Sequence, residues 1–527
     1  MTAVSKRDTG KKQDHFLFED SEWTFETIER TYAAIEEIAL EDLGLDIYPN
    51  QIEIISSEQM LDAYCSVGMP LTYHHWSFGK RFVYEEELYR KGYQGLAYEI
   101  VINSSPCISY YMEKNTMAMQ TLVLAHAALG HNHFFKNNYL FRQWTDAEAI
   151  LDYFVFAKDY IAKCEERHGV GTVEEVLDAA HALMDQGVFR YRRQPRLSQR
   201  DRKEREEARQ TYEEQTYNDL WRTLPESAAS REDPCAAEKE LAERKRQLKL
   251  PEENLLYFIE KNSPALEPWQ REILHIVRGL AQYFYPQKQT KVMNEGCATF
   301  VHHYLVNALF DKGLITEGAL LEILHSHSNV IFQPGFDDPR YSGINPYALG
   351  FAMMQDIKRI CSEPAEEDRD WFPEIAGCGD WRGVLKDAWV NYRDESFIRQ
   401  FLSPRLVREL KLFRVTNEAR DNYAEVAAIH NERGYREVID ALARAYDLSE
   451  TEPDIQVADV DLKGDRELIL RHKVRDAVPL AERSRDEVVG HIRQLWGYDV
   501  RLEGFDAETE KKLYDTVATS PLESDEE

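Results

Sequence analysis

Apolar residues recur at positions i, i+3 and i+4 over much of this chain, and this spacing predicts amphipathic helices packed around a shared interior. The pattern covers six stretches, namely residues 23–43, 109–130, 145–168, 268–285, 294–311 and 316–325. Since 43% of the residues are hydrophobic, the chain has enough apolar material for a large core. The predicted fold class is mainly α.

The C-terminal part has a different pattern. Beyond residue 405, short apolar runs alternate with helical segments in the order β-β-α and then β-β-α-β, which predicts a small α/β domain with a ββα-type repeat. A chain of 527 residues accommodates about two to four domains. The predicted organisation is a disordered tail (1–14), a helical body carrying a histidine cluster (15–190), a charged insertion or linker (191–250), a second part of the helical body carrying an Asn-Glu-Gly helix (251–405), the α/β domain (406–510) and an acidic tail (511–527).

Charge restricts the partners of this protein. The sequence contains 64 basic and 94 acidic residues, giving a net charge of -30 that repels nucleic-acid phosphates and anionic lipid head groups. The N-terminus has no apolar signal-peptide region, and apolar runs of about 18 residues are absent. Seven cysteines without C-x-x-C spacing indicate reduced thiols. We therefore predict a cytoplasmic protein with no integral membrane segment and no nucleic-acid partner.

A first histidine cluster lies where an apolar helix meets a glycine, and it comprises His126, His131 and His133. On an ideal α-helix, residues five apart point about 140° away from each other. His126 and His131 therefore reach one site only if the helix unwinds near Gly130. Because imidazole nitrogens are common zinc ligands, we predict His126 and His131 as metal ligands. His133 is predicted to complete the shell or to handle protons.

A second cluster contains Glu295 and His302, which are seven residues apart and lie on the same face of a predicted helix. A carboxylate and an imidazole arranged in this way suit a metal or an acid/base pair. We predict Glu295 as the third metal ligand, with zinc as the favoured divalent metal, and Glu295, His302 and His133 as catalytic residues. The alternative interpretation is structural, because buried histidines also form hydrogen bonds with carboxylates or the backbone.

Residues 294–298, Asn-Glu-Gly-Cys-Ala, resemble the Asn-Glu-Gly-x-Ala helix that carries the third ligand in a large family of zinc aminopeptidases. This resemblance implies a zincin-like helical body. That family also has an H-E-x-x-H motif, whereas residues 126–131 are His-Ala-Ala-Leu-Gly-His. The segment is one residue longer and lacks the glutamate base of those peptidases.

Longer phrases of the sequence resemble signatures of the SpoVR (stage V sporulation protein R) family. They are His75-Trp-Ser-Phe-Gly-Lys80, Tyr98-Glu-Ile-Val-Ile-Asn-Ser-Ser-Pro106, Gly130-His-Asn-His-Phe-Phe-Lys-Asn-Asn-Tyr139, Gln287-Lys-Gln-Thr-Lys-Val-Met-Asn-Glu-Gly296 and Asn345-Pro-Tyr-Ala-Leu-Gly350. The resemblance extends over roughly residues 18–504. It implies a role in forming the spore cortex, a peptidoglycan layer, or in stationary-phase and stress physiology. It also implies two companions, a PrkA-type serine kinase and a protein with a von Willebrand-like domain.

The sequence supports two hypotheses. In the first, the protein is a metal-dependent hydrolase of a peptide or amide bond with a degenerate zincin-like site. In the second, it is a non-enzymatic regulatory adaptor that binds the PrkA-type kinase and its von Willebrand-like companion through the charged insertion and the α/β domain. The missing glutamate favours the adaptor. The hydrolase requires His126, His131 and Glu295 to converge, whereas the adaptor does not.

Overall fold

The structure is a computed structural model that describes residues 16–65, 73, 99–190, 248, 250–336, 338–413, 415–416, 425–426, 431–461, 465–476 and 478–519. The predicted disordered tail, residues 1–14, lies outside the described residues. The predicted charged insertion, residues 191–250, also lies outside them except for residues 248 and 250.

Helices dominate the described residues, as the sequence predicts. In chain order they are α1 Phe25–Glu41, α2 Ser57–Cys65, α3 Met117–Val123, a π-helix Leu124–His131, α4 Asn132–Asn137, α5 Tyr139–Trp144, α6 Ile150–His168, α7 Val170–Ala182, a 3-10 turn Met184–Gln186, α8 Leu255–Asn262, α9 Pro268–Gln289, α10 Lys291–Asp311, α11 Glu317–Val330, α12 Pro346–Ser362, α13 Glu366–Trp371, α14 Trp381–Asn391, α15 Asp394–Phe401, α16 Pro404–Glu409, α17 Glu432–Ala445, α18 Leu448–Thr451 and α19 Glu482–Trp496.

The strands of the described residues form three small sheets. They are β1 Asn50–Ile55, β2 Glu99–Ile102, β3 Cys107–Met112, β4 Val415–Thr416, β5 Glu425–Val426, β6 Asp454–Val460, β7 Leu468–Val474, β8 Val500–Asp506 and β9 Lys512–Ala518. The first sheet has the order β1-β3-β2, in which β1 is parallel and β2 antiparallel to β3. The last sheet has the order β6-β7-β8-β9, and α19 forms the crossover between the parallel strands β7 and β8. The fold class of a mainly α protein with a small C-terminal α/β region is confirmed.

One compact unit comprises Met1–Glu174 and Gln282–Thr451, and α10 lies at its centre. Residues on every side of α10 are buried, including Val292, Phe300 and Leu305. A helix that is apolar all round belongs in a core, and α10 contacts the π-helix together with α1, α3, α11, α12 and α15. Strands β2 and β3 also adjoin the π-helix. The two helices that carry the candidate ligands therefore pack against each other.

The other compact unit combines two distant segments of the chain, Glu175–Ala281 and Glu452–Glu527. Glu252 and Val457 exchange backbone hydrogen bonds of 2.8 and 3.1 Å. Phe258 of α8 stacks on Trp496 of α19 with their ring centroids 5.9 Å apart. These contacts join the C-terminal sheet to residues that precede it by about two hundred positions in the sequence.

The structure differs from the predicted C-terminal boundaries at two places. Residues 406–451 belong to the same compact unit as α10, whereas the sequence pattern predicts them within the α/β domain. Their helix α17 packs on α15, because Tyr435, Val438 and Ile439 extend the core of that unit. Lys512–Ala518, assigned to the acidic tail, forms strand β9. It is an edge strand whose residues are mostly exposed, so it lacks the apolar alternation by which a half-buried strand is recognised.

Candidate metal centre

The π-helix brings the first two predicted ligands together. Its backbone hydrogen bonds join residues five apart, as in the bond from the Asn132 N–H to the Ala127 carbonyl. Residues 126 and 131 are therefore stacked along one side of the helix, and the ring centroids of His126 and His131 lie 4.7 Å apart. The helix does not unwind near Gly130, contrary to the prediction from the sequence. Instead the helix widens and continues directly into α4.

Helix α10 positions the third predicted ligand, Glu295. The carboxylate of Asp394 accepts hydrogen bonds of 2.8 Å from the backbone N–H groups of Val292 and Met293, so it caps the buried start of this helix. Glycines then allow close helix packing. A Cβ atom on Gly130 would lie 2.6 Å from the Cα of Ala298, and one on Gly350 would lie 2.2 Å from the Val292 carbonyl oxygen.

Three ligand atoms converge between the π-helix and α10. The Oε2 atom of Glu295 lies 3.6 Å from Nε2 of His131 and 3.8 Å from Nε2 of His126. The ligand atoms of these three residues all lie within 4.8 Å of one another. In a tetrahedral zinc site with bonds of about 2.1 Å, neighbouring ligand atoms are separated by about 3.4 Å. The spacing is therefore close to that of a metal-ligand shell.

His302 lies behind this group rather than within it. Its Nδ1 atom is 2.9 Å from Nδ1 of His126, and its Nε2 atom is 2.8 Å from Nδ1 of His327 on α11. These three rings thus form a chain of hydrogen bonds that starts at a predicted ligand. Asn294 plays a comparable part on the other side, because its Oδ1 atom lies 2.9 Å from Nδ1 of His131.

His133 points elsewhere. Its Nδ1 atom lies 3.0 Å from both the backbone N and the backbone O of Asp46, and its ring meets the edge of Trp389. The group of mutually close ligand atoms includes His126, His131 and Glu295 but not His133. Because His133 lies two residues after His131 on the helix that follows, its side chain leaves from a different face.

Burial sets the charges in this centre. It lowers the pKa of His131 to about 4 and holds the pKa of His302 well below its usual value, where the neighbouring histidines add to the effect. Burial by itself raises the pKa of Glu295, but the adjacent His131, His126 and Tyr347 outweigh it and the pKa is lowered. At neutral pH the centre therefore combines an ionised carboxylate with neutral His131 and His302. Carboxylate and neutral imidazole are the forms that bind a divalent cation.

Sequence reasoning missed Glu99 and Tyr347. The Oε1 atom of Glu99, at the start of β2, lies 3.8 Å from Nε2 of His126, and the ring of Tyr347 stacks on that of His126 at 6.3 Å. Glu99 is the single charged residue between Leu96 and Met112, and a lone carboxylate in an apolar strand was the available signal. Tyr347 gives no comparable signal, because an aromatic residue in a helix usually packs in a core.

Comparison with known proteins agrees with the earlier resemblance. A family model described as SpoVR like protein matches residues 22–451, and one described as SpoVR-like C-terminal domain matches residues 453–507. The Escherichia coli (strain K12) protein named "Uncharacterized protein YcgB" is 56% identical over 496 residues, which are 94% of this chain and 95% of that protein. No solved structure matches the chain. Among the described residues, no helix is both long enough and apolar enough to cross a membrane. The two family models together cover most of the sequence, and the chain therefore belongs to the SpoVR family.

Proposed function

We propose that this protein is a metal-dependent hydrolase of peptide or amide bonds, with His126, His131 and Glu295 as the ligands of one divalent cation, most suitably zinc. Two histidines and one glutamate form the three-ligand set of many catalytic zinc sites, in which the fourth position stays open. A cation in such a site polarises a carbonyl group and lowers the pKa of water.

One observation carries this proposal. The buried Oε2 atom of Glu295 has no hydrogen-bond partner among the described residues, yet it faces Nε2 of both His131 and His126. A buried carboxylate oxygen without a partner costs free energy, and a cation bound between these three atoms would remove that cost. The orientation of the rings also supports the proposal. Asn294 and His302 hold the Nδ1 atoms of His131 and His126, so both Nε2 atoms face the same point.

The biological setting of the proposal comes from the family. In endospore formers the SpoVR family is associated with the spore cortex, so we propose substrates with the peptide and amide bonds of peptidoglycan, or a stationary-phase role in bacteria that form no spores. We propose that the reaction takes place in the cytoplasm. In support, the cysteines of the described residues, among them Cys107, Cys164 and Cys297, are free thiols, as expected in a reducing compartment.

The first test is metal content. Full-length protein purified without chelator is analysed by mass spectrometry beside Glu295→Ala, His131→Ala and the control His133→Gln, with folding checked by circular dichroism. We expect about one zinc ion per chain in the wild type and in the control, and less than a tenth of that in the other two variants. The control removes an imidazole of similar burial that lies outside the ligand group. A folded, metal-free wild type would contradict the proposal.

If zinc is present, the same proteins are incubated with peptidoglycan fragments and short peptides, and new amino groups are measured. Release of amines by the wild type and by His133→Gln, but not by Glu295→Ala, is the expected result. An equal rate in all the proteins would indicate a contaminating hydrolase.

An adaptor that binds a PrkA-type kinase and a von Willebrand-like domain protein is the second candidate function. The absence of a glutamate between His126 and His131 favours it, and so does β9, the last strand in the order of its sheet, whose residues are mostly exposed. Such an edge can pair with a strand of a partner. Binding of the purified kinase to metal-free wild type, and its loss when residues 512–527 are removed, would support the adaptor.

A further inference from the structure

Glu99 places a second carboxylate at the candidate metal centre. Strand β2 begins at this residue, and its pairing with β3 sets Glu99 opposite Tyr111 in the sheet. The Nε2 atom of His126 lies 3.8 Å from Oε1 of Glu99 and 3.8 Å from Oε2 of Glu295. The nitrogen that faces the proposed cation therefore lies between two carboxylates from different elements.

The two carboxylates have different geometry. Glu295 approaches both ligand imidazoles, whereas Glu99 approaches that of His126. The group of mutually close ligand atoms contains Glu295 and does not contain Glu99. Glu295 thus fits the position of a ligand, and Glu99 lies beside the ligand shell, where a general base would stand.

Glu99 is partly accessible to water. Its side chain keeps 19% of its surface exposed, compared with 4% for His126. A carboxylate that water can reach beside the ligand shell is in place to accept a proton from that water.

We propose that Glu99 is a catalytic residue of this centre, which takes a proton from the attacking water and passes it to the leaving nitrogen. It supplies from β2 the carboxylate that is missing between His126 and His131. This inference rests on the proposed hydrolytic function and adds the base that the function requires.

The reaction balances with water as the co-reactant. One O–H bond of water breaks and the proton goes to Oε1 of Glu99, while the water oxygen forms a bond to the carbonyl carbon and the π electrons of the C=O bond move to its oxygen. When this tetrahedral centre collapses, the C–N bond breaks and the nitrogen takes the proton from Glu99. The products are a carboxylic acid and an amine, and Glu99 is again a carboxylate.

The test separates a base from a ligand and does not need the natural substrate. Full-length wild type, Glu99→Gln, Glu99→Asp and the control Glu53→Gln are loaded with zinc. Glu53 lies on β1 of the same sheet. Zinc content is measured by mass spectrometry, and the affinity for acetohydroxamate is measured by calorimetry. A hydroxamate binds zinc through two oxygens and gives its proton to a neighbouring base.

We expect all four proteins to hold about one zinc ion per chain. Glu99→Gln should bind acetohydroxamate at least tenfold more weakly than the wild type and the control, and Glu99→Asp should lie between them. Loss of zinc from Glu99→Gln and Glu99→Asp would make Glu99 a ligand and overturn the proposal. Unchanged affinity for acetohydroxamate would overturn it as well. A zinc-free wild type would instead refute the proposed function, and the role of Glu99 with it, so the two failures are distinguishable.

Discussion

At the scale of single residues, His126 has a hydrogen-bond partner for one ring nitrogen and leaves the other to face the proposed cation. If Nε2 of His302 donates to Nδ1 of His327, then Nδ1 of His302 accepts from the Nδ1–H of His126. The lone pair of Nε2 on His126 then points at Glu295. His302, which was predicted as a catalytic residue, therefore has the geometry of a positioning residue.

Replacement of His302 by leucine should weaken zinc binding without removing a ligand. The change takes away the acceptor that fixes the tautomer of His126, and losses of this kind cost about 10- to 100-fold in metal affinity. The measurement is a zinc titration against a competing chelator. The neighbouring variant His303→Leu serves as the control, because the ring of His303 contacts His327 and Phe351 rather than His126. Equal zinc affinities for His302→Leu and His303→Leu would disprove the positioning role.

His133 should affect the pH dependence of the protein's stability, and it should not affect metal binding. Burial lowers the pKa of His133 to about 4, whereas the unfolded chain has the ordinary value of about 6.5. Between these values the unfolded state binds more protons, so the free energy of unfolding falls as the pH is lowered through this window. His133 should therefore make the free energy of unfolding about 2 kcal/mol lower at pH 5 than at pH 8.

His133→Gln should remove this part of the pH dependence. The loss of unfolding free energy between pH 8 and pH 5, measured by urea denaturation, is expected to be about 2 kcal/mol smaller in the variant than in the wild type. Parallel pH profiles for the two proteins would show that His133 is not buried in its neutral form.

At the scale of elements, the sequence predicts where helices lie, but it does not predict whether a helix is an α-helix or a π-helix. Apolar spacing locates α1, α10 and α11, because each buries one or more faces in the core. The π-helix has no such signature, since residues 124–131 are almost uniformly apolar and each of them is buried. Its extra residue is visible only in the spacing of His126 and His131, which is one longer than in H-x-x-x-H.

Deletion of Ala127 should convert the π-helix into an α-helix and leave the centre intact. The two histidines would then be four apart, which also places them on one face of a helix. We expect the variant to fold and to retain about one zinc ion per chain, as measured by mass spectrometry and thermal denaturation. Deletion of Ala298 from α10 is the matched control, because it turns His302 by about 100° relative to Glu295 and should unfold the core. If both deletions reduce zinc content and thermal stability equally, the π-helix is not an α-helix with one inserted residue.

Glu99 shows why the sequence does not predict every residue of the candidate site. Its partner His126 lies 27 positions after it, and Glu295 lies 196 positions after it. Spacing along one helix predicts that Glu295 and His302 share a face, but it contains no information about which strand packs beside them. The contacts of β2 with the π-helix are tertiary, so the position of Glu99 became visible only in the folded structure.

At the scale of the whole molecule, the boundary between the two family models coincides with a boundary between compact units, but the C-terminal family model covers only part of its unit. The models meet between residues 451 and 453, yet the C-terminal sheet shares its unit with Glu175–Ala281. Phe258 and Trp496 are both buried in that unit, and the Ser263 hydroxyl donates to the Leu495 carbonyl at 2.8 Å. The α/β region is therefore half of a unit rather than an independent domain.

A chain that ends at Thr451 should consequently lose more than its C-terminal sheet. Helix α8 would expose apolar side chains that are now buried, and each costs about 1.5–3 kcal/mol when it is transferred to water. We expect this truncated chain to bind the dye ANS strongly and to unfold at a lower temperature than the full chain, whereas a chain that ends at Thr519 should match the full chain in both measurements. Residues 453–527 expressed alone should lack a cooperative thermal transition, because their partner residues 175–281 are missing. Cooperative unfolding of that fragment would establish it as an independent domain and contradict the discontinuous unit.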